Sequence, residues 1–136
     1  MRAGRLLLVR RAIDPWQGCW DIPGGFCDGR EHPVDTVVRE VHEETGLRVE
    51  VLGLLGMWID DYRAGSAGQP ADVTLNCYYH ARPIDDRSPV VDRAELSEAA
   101  WFAPDDLPHD IAFPDHAGQV LAAWRDALAS PGGDAA

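Results

Sequence analysis

The sequence lacks any apolar run near the ~20 residues that a bilayer-spanning helix needs. Its longest early run, residues 6–9, is strand-sized and too short for the core of a signal peptide. With neither signal visible, a cytoplasmic location is the expectation. Cysteine is scarce: Cys19, Cys27 and Cys77 are an odd number and form no CxxC pair. That argues against a disulfide framework and for reduced thiols in or near the core. A catalytic cysteine would need a matched base, and no neighbouring residue nominates one. Positive charge is short as well, with 12 Lys and Arg against 23 Asp and Glu and a net charge of −11. Such a surface repels nucleic acid and anionic membrane, so neither is an expected partner. It also repels a phosphate-bearing substrate unless cations stand between the two. Internal repeats and long low-complexity tracts are absent.

What is present fits one domain. The chain has 136 residues, 46% of them apolar, enough for a single core without covalent staples. We read residues 1–129 as that domain and residues 130–136 (SPGGDAA) as a frayed tail. Residues 5–11 (RLLLVRR) predict a short buried strand bounded by charge. Residues 16–27, with two tryptophans, a proline and paired glycines, predict a strand running into a tight turn. Helical spacing covers residues 33–45. Residues 48–61, 73–81 and 99–103 predict further strands, with residues 64–71 (AGSAGQPA) as a loop or hairpin tip. Residues 115–129 form an amphipathic pattern with Val120, Leu121, Trp124 and Leu128 on one face. Strands around a central helix, with a second helix closing the chain, predict an α/β fold with helices packed on a mixed sheet.

The chemistry lies in residues 24–47, GGFCDGREHPVDTVVREVHEETGL. Pro33 suits the first helical position, Asp35 the positive end of the dipole, and Gly46 the left-handed residue after the last turn. Val34, Val37, Val38 and Val41 recur at helical spacing and predict a buried stripe. Glu40 and Glu44 lie about 40° apart around the helix, and Glu43 about 60° beyond Glu40. Three carboxylates thus share one arc near the negative end of the helix, where they repel each other and the dipole. A hard cation resolves that conflict, and oxygen ligands suit magnesium or manganese. The plain alternative is a solvated acidic face.

The longer pattern argues against the plain alternative. Gly25, five residues, Glu31, seven residues, then Arg39 to Leu47 reads Gx5Ex7REUxEExGU with every position filled, U being bulky and apolar. This resembles an intact Nudix box. The preceding WDIPGG (residues 20–25), the LLLVRR of residues 6–11, and the segment around Glu95, Glu98, Trp101 and Phe102 followed by PDDLP (residues 104–108) resemble the family's flanks. The resemblance implies an α/β/α sandwich around a mixed β-sheet. The family's usual first strand is missing, since only four residues precede Arg5. Either the natural start lies upstream, or another strand or a second subunit covers the edge, and a homodimer is expected.

The resemblance also implies roles. Glu40, Glu43 and Glu44 would bind a divalent cation, Mg2+ or Mn2+, with the Gly24 carbonyl as a further ligand. Arg39 would orient the glutamates, and its planar fork suits that task better than lysine. Glu31 would brace the loop or reach a further metal through water, and Gly25 and Gly46 would permit backbone turns. The activity implied is hydrolysis of a diphosphate bond in a nucleoside diphosphate linked to another moiety, such as a dinucleotide, ADP-ribose or a (d)NTP. Glu40 is the first candidate for the general base, with Glu95 and Glu98 as alternatives. Candidate substrate contacts are Arg10, Trp58 and Tyr62, with Trp16 and Phe113 as further aromatics able to stack on a base; for each aromatic taken singly a core role is the favoured alternative. A proline often found about 16 residues beyond the box is replaced by Arg63, which leaves the substrate open. Two rivals share the fold: a non-catalytic metabolite sensor, and an isomerase that would need a catalytic cysteine and a modified box.

Overall fold

A computed structural model of the chain describes residues 1–63 and 72–130, the side chains of residues 62 and 63 excepted. Five strands and two helices follow in the order β1 (Leu6–Arg11), β2 (Trp20–Asp21), α1 (Pro33–Thr45), β3 (Val49–Arg63), β4 (Asp72–Pro83), β5 (Leu96–Phe102) and α2 (Pro114–Ala129). The expected loop at residues 64–71 and most of the expected tail lie outside the described residues.

Every ladder among the described strands is antiparallel. β1 is the centre of a three-stranded sheet in the order β2-β1-β5, and β3 pairs with β4 in a long hairpin. The parallel component is the bridge between Trp20 and Ile111. β1 therefore has a neighbour on each side, and the edge expected to need cover is not on this strand. Leu8 and Val9 are fully buried between these neighbours. A core of Leu7, Val41 and Leu47 joins β1 to α1, with Val37, Val49, Ala99 and Trp101 packed around it. α2 buries Ala117, Val120, Leu121 and Trp124.

Two expectations are corrected. The segment read as a strand from residue 16 pairs only at Trp20–Asp21. Ahead of it the chain turns sharply, because Gly18 and Trp16 are left-handed (φ 86° and 61°) and the Gly18 amide bonds back to the Arg11 carbonyl. On α1 Thr36, Val41 and Thr45 are buried, and Val37, four residues before Val41, packs half-buried against the core, while Val34 is half-buried and Val38 stays 38% exposed. A line at four-residue spacing excludes Val38, which lies about 100° around the helix from Val37.

Candidate active site

α1 begins as its sequence dictates. His32 caps it by accepting the Val34 amide on Nδ1, Pro33 occupies the first turn, and Gly46 closes it in the left-handed region (φ 72°). Its last carbonyls would otherwise lack partners. The amides of Val90 and Asp92 donate to the Thr45 and Glu44 carbonyls, at 2.8 and 3.0 Å. This cap ties the segment before β5 to the carboxylate end of the helix.

Arg39 organises the arc. Its Nε and Nη2 donate to the two oxygens of Glu31 at 2.9 and 2.8 Å, a two-pronged contact that matches the guanidinium plane. Nη1 donates to Glu40 at 2.8 Å and to Glu43 at 3.3 Å, and Nη2 also reaches the Phe26 carbonyl. Glu31 further accepts from the Thr36 hydroxyl at 2.7 Å and the Asp28 amide at 3.2 Å. Together with Arg39 these donors pull its carboxyl down to about 2. Glu31 thus braces the 26–31 loop against the helix. The same bonds raise the Arg39 guanidinium further above its usual range.

Gly25 serves differently from the expectation. Its backbone is not left-handed; instead it passes against the Glu40 carboxylate. A Cβ added there would stand 2.5 Å from the Glu40 carboxyl carbon and 2.7 Å from both oxygens. Glycine is needed here for close approach rather than for a turn.

Glu44 faces the other way. Burial pushes its carboxyl up to about 8, helped by the nearby negative charges of Glu40, Asp21 and Glu95, while a hydrogen bond from the Gly24 amide pulls the other way. Glu95 is therefore within electrostatic reach of Glu44, carried there by the cap on α1. Glu98 lies on β5 with its carboxylate 3.9 Å from Arg10. The two alternative bases are thus separated by position.

Among the described residues no three carboxylate, imidazole or thiol side chains converge into a ready-made metal cage. Glu40 and Glu43 are drawn to Arg39, and Glu44 faces Gly24 and Asp21. The donor set nonetheless fits magnesium or manganese. Every donor is a hard oxygen, and magnesium usually takes one or two carboxylates and completes its octahedron with water and substrate phosphate. The crowded charge around Glu44 is where a cation would relieve repulsion.

The remaining candidates scatter. Trp58 sits edge-on to Tyr78, ring centres 5.7 Å apart, and its ring packs where a Cβ at Gly56 would stand (2.8 Å). Arg10 donates to the Gly18 carbonyl at 2.8 Å and lies over Trp20. Tyr62 falls near the end of β3, and its side chain lies outside the described residues. Four further polar residues are linked into the structure around β2 and α2, of which Asp21 acts on the glutamates directly. Asp21 binds Arg11 at 3.1 Å, and burial raises its carboxyl. His116, buried in the first turn of α2, links Asp60 on β3 to Tyr78 on β4. Its Nδ1 is hydrogen-bonded to the Asp60 carboxylate and its Nε2 to the Tyr78 hydroxyl, at 2.7 Å. Burial raises the Tyr78 phenol, which stays protonated. Asp21 lay within the WDIPGG lead-in, and Asp60 and Tyr78 within segments that resemble family members, but no sequence signal marks that His116 joins the last two, across 56 and 38 residues.

Comparison with known proteins gives a consistent result. The family model described as NUDIX domain matches residues 1–124. A MutT-like protein of Streptomyces ambofaciens is 37% identical over 111 residues, which is 80% of this chain and 62% of that protein. The putative ADP-ribose pyrophosphatase YjhB of Bacillus subtilis is 32% identical over 112 residues, 79% of this chain and 48% of that protein. The chain thus spans about half to three-fifths of the length of these two relatives. Among solved structures, a MutT NUDIX hydrolase from Burkholderia pseudomallei superimposes with a TM-score of 0.68 at 29% identity, covering 90% of this chain and 89% of that one.

Proposed function

The chain belongs to the Nudix family, and on that premise we propose that it hydrolyses the diphosphate bond of a nucleoside diphosphate linked to a second moiety, ADP-ribose and (d)NTPs included. The observation that carries the reading is the Arg39 fork, which holds Glu31, Glu40 and Glu43 while Gly25 leaves the Glu40 carboxylate room to stand against the loop. The name of the Bacillus subtilis relative supports a nucleoside diphosphate derivative as the substrate class.

Glu40, Glu43, Glu44 and the Gly24 carbonyl are the groups that would hold Mg2+ or Mn2+. The cation would supply charge neutralisation on the diphosphate oxygens and activation of the attacking water. The chain's own residues do the rest. Arg39 keeps two glutamates from swinging into solvent. Glu31 fixes Arg39 in turn. Glu40 takes the proton of the attacking water, with Glu95 the alternative base because the α1 cap brings it beside Glu44. Attack in line on one phosphorus expels the other phosphate with its substituent.

A homodimer also belongs to this reading. On the outer face of the β3–β4 hairpin Leu54, Met57, Ile59, Val73 and Leu75 are exposed together. With a net charge of −11, this largely apolar face, which carries Asp61 only at its far end, is where two copies can meet with least repulsion.

The test is a product-release screen. Purified protein meets dinucleotides, nucleotide sugars and (d)NTPs with magnesium or manganese, with and without chelator. Metal-dependent turnover of one class is expected. Saturable binding without turnover of any compound would replace the hydrolase with a sensor.

A further inference from the structure

Two bulky side chains outside the glutamate arc are held in a backbone conformation that they rarely adopt. Trp16 has φ 61° and Phe113 has φ 52°. Left-handed geometry is disfavoured for large side chains, and such outliers cluster at ligand clamps. The two are far apart in sequence, yet their rings meet edge to face, centres 6.3 Å apart at 61°. Trp16 keeps 44% of its surface exposed. The Arg11 guanidinium lies over Phe113, 5.4 Å from the ring centre. Arg11 is itself fixed by the Pro15 carbonyl at 2.6 Å and by Asp21 at 3.1 Å. The His116 ring flanks Phe113 at 6.4 Å, and His116 is in turn held by Asp60 and Tyr78. The result is a rigid aromatic shelf with one indole left open.

The shelf adjoins the carboxylates. Asp21 is the link, since it bonds to Arg11, which covers Phe113. The Ala112 amide ties the Phe113 segment to Trp20 beside it. The chain runs on from Asp21 to Gly25, which stands against the Glu40 carboxylate. A ligand whose phosphates lie at the glutamates and whose next group is a flat heteroaromatic ring spans the two. We propose that Trp16, backed by Phe113, is the platform on which the nucleobase of the substrate stacks. This rests on the hydrolase reading for the identity of the ligand, but not on turnover for its test.

Stacking explains the two outliers together. A ring fixed in a strained, half-exposed position loses no further freedom when a base lies on it. A base also covers apolar indole surface that would otherwise face water. Because every base has a π-face, the platform discriminates base-bearing from base-free ligands and tolerates purines and pyrimidines alike.

The experiment is calorimetric titration of the full chain, at saturating magnesium, with AMP, GMP, CMP and UMP, and with ribose 5-phosphate as the base-free control. Trp16→Gly is the informative variant, because glycine is at ease at φ 61° and the fold should be at least as stable, as a urea midpoint checks. Trp16→Phe keeps a stacking face. The expected result is a roughly 5- to 150-fold rise in Kd for the nucleotides in Trp16→Gly, with near-normal binding in Trp16→Phe and no change for ribose 5-phosphate. Where a substrate is turned over, KM rises by the same factor and kcat holds. Unchanged nucleotide affinity in a folded Trp16→Gly protein overturns the proposal, as does wild-type protein that binds AMP no better than ribose 5-phosphate. Loss of turnover with all substrates, with base binding intact, would instead strike the hydrolase reading and leave the platform standing.

Discussion

Gly25→Ala separates the fold from its chemistry. The added methyl would lie 2.5 Å from the Glu40 carboxyl carbon, so the carboxylate must retreat by about 0.9 Å to reach an ordinary 3.4 Å contact. The three atoms nearest to that methyl all belong to the Glu40 carboxylate. The obstacle is the far end of a flexible side chain, and Gly25 lies in an exposed loop with an ordinary backbone conformation. Folding stability should therefore change by no more than about 0.5 kcal/mol. Function should not escape so lightly. A retreat of that size breaks the 2.8 Å bond from Arg39 to Glu40 and moves the carboxylate away from where a cation and a water must be met. Misplacement by about 1 Å lowers turnover on the order of 100-fold, equivalent to about 2.7 kcal/mol of barrier. Steady-state kinetics at saturating magnesium, beside a urea melt of the same preparation, reads both quantities. A kcat within twofold of wild type would refute the reasoning, because it would show that Glu40 does not need the space glycine leaves.

Four further outcomes follow from the same geometry. Glu44→Gln should abolish turnover at saturating magnesium while leaving stability unchanged or slightly higher, since it removes a carboxylate crowded by Glu40, Asp21 and Glu95; an unchanged kcat would count against its role. His116→Ala strands the part-buried partners Asp60 and Tyr78 and should cost about 2 kcal/mol in urea denaturation, whereas a loss below about 0.5 kcal/mol would mean that the link is incidental. Glu31, whose carboxyl is lowered to about 2 in the fold from its ordinary 4.5, contributes stability that is fully present above pH 4.5 and disappears as the pH falls toward 2. Chemical melts at pH 6 and pH 3 should therefore show a smaller acid loss in Glu31→Gln than in wild type, and equal losses would remove the brace from the account. Light scattering should give a dimer mass for wild type and a monomer for Ile59→Glu, which puts a charge on the most exposed residue of the hairpin face; a monomeric wild type would end that reading.

The parts of the site that could be read from sequence are those fixed within one helix and its two loops. Pro33, Gly46 and the helix bounds are local consequences of capping, so α1 spans the residues that its spacing predicts. The buried stripe was legible except at Val38, where the choice among adjacent valines depends on what packs opposite them. The carboxylate arc was legible as a cluster, but its partition was not. Spacing places Glu40, Glu43 and Glu44 on one side of a cylinder. It does not reveal that Arg39 takes two of them while the third turns toward Asp21. What Asp21, Asp60, Tyr78 and His116 contact carries no local signal, because those contacts form through strand register and the docking of α2. Trp16 and Phe113 were visible as aromatics, but their contact and their left-handed backbones arise only once residues 12–19 fold back beside the start of α2.

This division has a consequence for how the site tolerates change. The half built on α1 is held by bonds among exposed or half-exposed groups, Arg39 with its three glutamates above all, and surface ion pairs add little to stability. Apart from Glu31, whose brace adds stability above pH 4.5, substitutions there should alter chemistry more than folding. The other half is held by part-buried long-range contacts. Arg11 and Asp21 join β1 to β2, and His116 joins α2 to Asp60 on β3 and Tyr78 on β4, so the groups that shape the aromatic shelf also hold the elements together. Substitutions there should change stability and ligand affinity at once. A variant series that sorts in this way, with kcat alone falling on the helix side and Kd and urea midpoint falling together on the hairpin side, is what the architecture requires. The exception is Trp16, which is exposed and strained. Only there should affinity for the base fall while stability holds or rises, which makes it the position where recognition can be separated from folding.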